Sequence, residues 1–221
     1  MNKKLIVLMV TIVIIAIAGI SIYLFTGNNN ESGNENNHSN NTVQDNASNE
    51  EENNQENSNP TTNNENVLVL YFSMSGNTET VANFIHDEVG GDLIKLETVQ
   101  TYPEDYNELI DYAQEEQRED ARPELSTVIE NMEQYDTIFL GYPNWWGDMP
   151  MPIYSFLDTY DLSGKTIAPF ITHGGSGLSG TPDNIEREEP NATVTEGLSI
   201  YGSNARNSRD DVIEWLNGLG Y

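Results

Sequence analysis

Six apolar residues run straight into six small ones between Val67 and Thr78: Val-Leu-Val-Leu-Tyr-Phe, then Ser-Met-Ser-Gly-Asn-Thr. A short continuous apolar run bounded by turn residues predicts a strand buried on both faces. Glu79, Val81, Ala82, Phe84, Ile85 and Val89 follow at helical spacing, with an acid in the first turn. The loop therefore joins the carboxyl end of a parallel strand to the amino end of a helix. Free backbone N–H groups and the helix dipole favour an anion at such a place. Ser73, Ser75 and Thr78 bring hydroxyl donors, and Gly76 allows close approach of the backbone. The expectation is a phosphate cradle, although a plain turn with polar caps uses the same residue types. The Gly-Lys-Ser/Thr ending of a Walker A motif is missing, and so is a Gly-x-Gly-x-x-Gly fingerprint. No Lys or Arg lies between Leu5 and Ile94. A phosphate here has only neutral donors, or groups brought in from elsewhere.

The chain ahead of this stretch divides in two. Residues 1–27 hold Lys3 and Lys4 and then 21 uncharged, mostly apolar residues from Leu5 to Phe25. That length spans a bilayer core, and the basic flank places the amino end inside. The expectation is a single-pass anchor at the cell membrane with everything after it outside. The competing reading is a signal peptide cut after Ala16-Ile17-Ala18, which would release the chain. Residues 28–66 are dominated by Asn, Glu and Ser. They are too poor in apolar surface to offset ordering entropy, so they read as a disordered tether. Its reach is roughly 35 Å.

From 67 to 221 strands and helices alternate. Strands are expected at 67–72, 92–97, 137–142, 165–171 and 193–200, the last with Gly197 inside. Pro169 fits a strand only at an edge or bulge. Helices are expected over 106–119, 151–158 and 208–216, the last ended by Gly218. Such alternation implies right-handed crossovers and a parallel sheet covered on both faces.

Three strands lead into loops of unusual chemistry. They are Ser73–Thr78, then Pro143-Asn144-Trp145-Trp146-Gly147-Asp148-Met149-Pro150, then Thr172-His173-Gly174-Gly175-Ser176-Gly177. All three belong at the carboxyl edge of the sheet, where doubly wound folds bind ligands. One Trp in a surface loop is ordinary packing. Two adjacent ones, facing a Gly-rich loop, suggest walls for a flat aromatic ligand.

Charge and cysteine content narrow the field. There is no Cys, which excludes disulfides, thiolate metal sites, a Cys nucleophile and a lipoprotein anchor. Net charge is −27. From Val67 onward 28 acidic and 7 basic residues leave −21. That surface argues against nucleic acid and anionic membrane faces and favours basic partners. Salt adaptation is another route to such acidity.

These motifs carry a resemblance. Tyr71-Phe72-Ser73-Met74-Ser75-Gly76-Asn77-Thr78 resembles the flavodoxin phosphate loop, and Tyr142–Gly147 and Thr172–Gly177 resemble the other two FMN-contacting loops. The Pro-Asn-Trp-Trp form is similar to that of small exported flavodoxin-like proteins and quinone-reductase relatives. The resemblance spans 67–221. It implies an α/β, flavodoxin-like, doubly wound five-stranded parallel sheet in order 2-1-3-4-5, with FMN at its carboxyl edge. It implies that Ser73, Ser75, Gly76, Asn77 and Thr78 hold the FMN phosphate. Pro143, Asn144, Trp145, Trp146 and Gly147 would line the isoalloxazine, and Thr172, His173, Gly174, Gly175 and Gly177 its pyrimidine side. One departure stands out. Long-chain flavodoxins usually carry a Tyr in the third loop, and here that loop has no aromatic residue.

Three functions fit this reading. The first is an electron carrier tethered outside the cell membrane and working with basic redox partner proteins. The second is an FMN enzyme that reduces quinones with NAD(P)H. Few basic residues are available for the nicotinamide phosphates, with Arg206 and Arg209 alone in the closing segment. The third is a flavin-free binding domain on the cell surface. Flavin brings its own redox chemistry, so no catalytic side chain is required. His173 is the one candidate near the site for a proton or a hydrogen bond to the ring.

Overall fold

The computed structural model describes residues 66–221. The expected anchor over 1–27, its alternative cleavage site and the tether as far as residue 65 lie outside the described residues. Among the described residues no helix is long and apolar enough to cross a membrane.

The first strand, β1 (Val67–Tyr71), is buried at all five positions. Side chains alternate between faces along a strand, and β1 divides accordingly. Leu68, Leu70 and Phe72 join one core; Val67, Val69 and Tyr71 join the other. The second core is closed by α1 (Asn77–Val89) and α5 (Arg209–Leu219), through Val81, Ala82, Ile85, Val212 and Leu216. The first is closed by α2 (Tyr106–Arg118), α3 (Met151–Thr159) and α4 (Thr181–Glu188), with Ile153, Phe156 and Ile185 buried in it. Truncating a ring such as Phe156 to Ala costs about 3–5 kcal/mol in a core of this kind.

The remaining strands are β2 (Asp92–Lys95), β3 (Thr137–Pro143), β4 (Thr166–His173), β5 (Thr193–Val194) and β6 (Leu198–Tyr201). All pairings are parallel and the order is β2-β1-β3-β4-β5, with β6 also on β4. The expected fold class therefore holds. The chain winds one way from β1 to β2 and the other way through β3 and β4. The crevice between β1 and β3 is the switch point, open at the carboxyl ends. At Gly141, in the middle of β3, a Cβ would come within 2.1 Å of the Phe170 ring, so only Gly fits that pairing.

Several local expectations change. The fifth strand is broken into β5 and β6, and Pro169 explains the break. Thr193 and Thr195 donate to the carbonyls of Lys165 and Ile167. Two residues further on, the same side of β4 meets Pro169, which has no N–H to give. The chain leaves the ladder there, with Gly197 against Pro169, and rejoins at Leu198. Helix α4 was not expected. It starts with Gly180 at φ 74 and Pro182, and only Thr181 and Ile185 are buried, so its apolar signal is two residues wide. The closing helix runs past Gly218 and stops at Gly220, which takes the left-handed conformation at φ 92.

Candidate functional site

The first loop closes on itself before it meets anything else. The Gly76 N–H donates to Ser73 Oγ at 3.2 Å, and Gly76 sits at φ 81 as the residue before α1. Its carbonyl takes the Thr80 N–H and hydroxyl. The backbone N–H groups of Asn77 and Thr78 find no acceptor among the described residues. They stand at the positive end of the α1 dipole. A Cβ at Gly76 would meet nothing within 4 Å. Two unpaired amides beside open space are what an anion requires.

Thr78 itself is buried, and its hydroxyl lies 2.8 Å from that of Thr172. Ser73 is buried as well. Their hydroxyls thus build the loop, while Ser75 and Asn77 face outward.

The second loop leaves β3 at Pro143. Trp145 and Asp148 exchange backbone hydrogen bonds of 2.9 and 3.0 Å across Trp146-Gly147, which take φ 53 and 82. Positive φ at both central residues is a type I′ turn. Asn144 fixes it from both ends. Its Oδ1 accepts the Gly147 N–H, and its amide donates to the Gly177 carbonyl in the third loop. The two tryptophans separate. Trp145 packs edge-on against Phe72 and Tyr102, at 5.4 and 5.6 Å between ring centres. Trp146 is 52 % exposed, and its indole N–H donates to the Ile110 carbonyl of α2 at 2.9 Å.

In the third loop the Gly175 N–H donates to His173 Nδ1 at 2.9 Å. A neutral His173 therefore carries its proton on Nε2. The ring stands edge-on to Tyr201, 5.5 Å away.

Together these loops line one cleft of about 520 Å³, in the usual range for a small-molecule site. Ser75, Asn77, Pro143, Asn144, Trp145, Trp146, Thr172, His173 and Gly174 reach it. Ser73, Gly76, Thr78, Gly147, Gly175 and Gly177 belong to the same three loops but do not line it. Sequence reasoning missed Tyr106, Leu109, Ile110 and Ala113 of α2, and Tyr201–Ser203 after β6. The i, i+3, i+4, i+7 spacing in α2 was the available signal. No lining residue is formally charged. Beneath α2 the Glu116 carboxyl is buried, takes a 2.6 Å hydrogen bond from Tyr102, and is raised above its ordinary value by burial. Among the described residues no cluster of His, Cys, Asp or Glu could hold a metal ion.

The geometry defines a class: a doubly wound α/β protein with unpaired helix-start amides and an aromatic-lined cleft at its switch point. The comparisons give the family. Residues 66–219 match the flavodoxin family, and the chain belongs to it. A candidate flavoprotein of Bacteroides eggerthii DSM 20697 is 31 % identical, with a TM-score of 0.64 over 72 % of this chain and 99 % of its own. A flavoprotein of Lactobacillus acidophilus NCFM, solved in complex with FMN, shares the fold at 24 % identity and a TM-score of 0.55, over 65 % of this chain and 97 % of its own. An NAD(P)H dehydrogenase (quinone) of Acidovorax ebreus (strain TPSY) is 32 % identical over 123 residues. That match covers 49 % of this chain and 58 % of the relative, less than two thirds of its length.

Proposed function

We propose that the chain is an FMN-binding electron carrier, held on the outer face of the cell membrane by its N-terminal segment. The observation that carries the flavin reading is the pair of unpaired amides at Asn77 and Thr78, opening into a cleft walled by aromatic side chains and free of formal charge. Family membership and the FMN complex of the Lactobacillus relative support it. The apolar run from Leu5 to Phe25 supports the tether.

Bound FMN would supply reversible electron transfer. The chain does the rest. The Asn77 and Thr78 amides and the Ser75 hydroxyl bind the phosphate with neutral donors backed by the α1 dipole. Asn144 holds the second loop to the third. His173 keeps a proton on Nε2, the one imidazole donor at the cleft. Trp146 keeps water off the ring. A domain at −21 disfavours further negative charge within it, and it guides basic redox partners to its surface.

A second reading is an NAD(P)H-dependent quinone reductase. The Acidovorax relative and the apolar wall of Leu109, Ile110 and Ala113 favour it. One experiment separates these readings. Purified full-length chain is mixed with FMN, its visible spectrum is recorded, and NAD(P)H is added with and without a quinone. The carrier reading predicts a bound-flavin spectrum and no turnover of NAD(P)H. Rapid quinone-dependent oxidation selects the reductase, and an unperturbed free-FMN spectrum rejects both.

A further inference from the structure

The segment after β6 belongs to none of the three loops discussed above, yet it forms part of the same cleft. In β6, Leu198 and Ile200 are buried while Ser199 and Tyr201 are exposed. The alternation thus turns Tyr201 away from the core, and its ring is 47 % exposed. Its phenol has no hydrogen-bond partner among the described residues. Core packing therefore gives no reason for a large ring at this position.

The ring's setting does give one. Tyr201 stands in register with His173 across β4 and β6, and the two rings meet edge to face. A Cβ at Gly175 would come to 4.0 Å from the Tyr201 ring. The Gly-rich third loop thus leaves that ring uncovered. The next residue, Gly202, lies so close to the first loop that a Cβ would sit 3.0 Å from Asn77 Nδ2. The segment thus lies against both the first loop and the third.

Sheet order completes the argument. β3 and β6 lie on opposite sides of β4. Trp146, in the loop after β3, and Tyr201, at the end of β6, both line the cleft.

We propose that Tyr201–Ser203 is a fourth loop of the cofactor site. In it, Tyr201 walls one face of the flavin ring. This inference rests on the FMN reading.

The test uses the full-length chain and its Tyr201→Ala, Tyr201→Phe and Ser75→Ala variants. Affinities for FMN and for riboflavin are measured by flavin fluorescence, and folding is followed by thermal melting. Tyr201 is half exposed, so its truncation leaves the core filled. Tyr201→Ala should weaken FMN and riboflavin by the same factor, about ten-fold, because a ring contact is lost and the phosphate contacts are not. Tyr201→Phe should stay within about two-fold of the parent. Ser75→Ala should weaken FMN alone. Unchanged affinities in Tyr201→Ala, with the parent binding FMN, would overturn the fourth-loop assignment while leaving the flavin reading intact. A loss confined to FMN would overturn it too, by making Tyr201 part of the cradle. A parent that binds neither flavin rejects the functional reading, and this inference with it.

Discussion

The hydroxyls of Thr78 and Thr172 lie 2.8 Å apart, buried, and join residues 94 apart in the chain. Thr78 lies in the first turn of helix α1 and Thr172 near the end of β4, so this bond ties the first loop to the third across the floor of the cleft. The Thr78 hydroxyl thus serves as a clamp, and its backbone N–H is left unpaired in the first turn of the helix.

Replacing Thr78 with Val keeps the shape and leaves the Thr172 hydroxyl buried without its partner. The expected loss is about 1–3 kcal/mol of stability. Replacing both threonines with Val should recover part of it, since no orphan remains. Urea unfolding of the two single variants and the double variant checks this. Strictly additive losses would mean that the hydroxyls do not interact.

Trp146 occupies the left-handed region at φ 53, which costs a side-chain-bearing residue roughly 1–2 kcal/mol. Both Trp146→Gly and Trp146→Ala lose the bond to the Ile110 carbonyl, and only the glycine escapes the strain. Trp146→Gly should therefore be the more stable of the two by about 1 kcal/mol. Denaturant midpoints decide it, and an Ala variant as stable as the Gly variant would contradict the type I′ turn.

The Glu116 carboxyl is raised by burial, with hydrogen bonds from Tyr102 and Tyr112 acting the other way. The folded chain thus holds this proton more tightly than the unfolded one. Stability should fall as pH rises from about 4.5, the ordinary Glu value, through the raised folded value. Glu116→Gln keeps an acceptor for both phenols and has no proton to lose. Its stability should be flatter with pH over that window, as read from unfolding midpoints at matched pH values. Parallel pH profiles would show that Glu116 contributes nothing to the slope.

Tyr71 is pushed up to about 12 by burial and by Glu79, and Tyr135 to about 12 by burial and its bond to Asp92. The unfolded value is 10.0. Both groups contribute stability that is present below pH 10 and lost as pH rises toward 12. Tyr71→Phe should shift alkaline unfolding to higher pH. Tyrosinate absorbance in the folded variant and parent follows it, and an unchanged midpoint would contradict the assignment.

The centre of the sheet was legible because β1, β3 and β4 are buried on both faces, and continuous apolar runs bounded by turn residues, such as Val67–Phe72, mark such strands. The three loops were legible as neighbours because each follows a parallel strand, and the carboxyl ends of neighbouring parallel strands share one edge. What was missed depends on neighbours. Trp145 and Trp146 look alike in a sequence. A type I′ turn separates them, sending one into the Phe72–Tyr102 cluster and leaving the other at the rim. Pro169 signalled an edge or a bulge; it sits in β4, paired on both sides, and which neighbouring strand would break depended on the side its nitrogen faced. Tyr201 closes a four-residue strand whose register with His173 exists only in the sheet. Helix α4 buries two residues, too few to register as a period.

In the flavin reading, the Asn77 and Thr78 amides receive a phosphate beneath an aromatic-walled ring site. Titrating the full-length chain with FMN and with riboflavin while following tryptophan emission tests this. Both ligands should quench, and FMN should bind about 10–100-fold more tightly, the worth of hydrogen bonds to a charged group. Equal affinity for the two ligands, or emission that neither one changes, would contradict it.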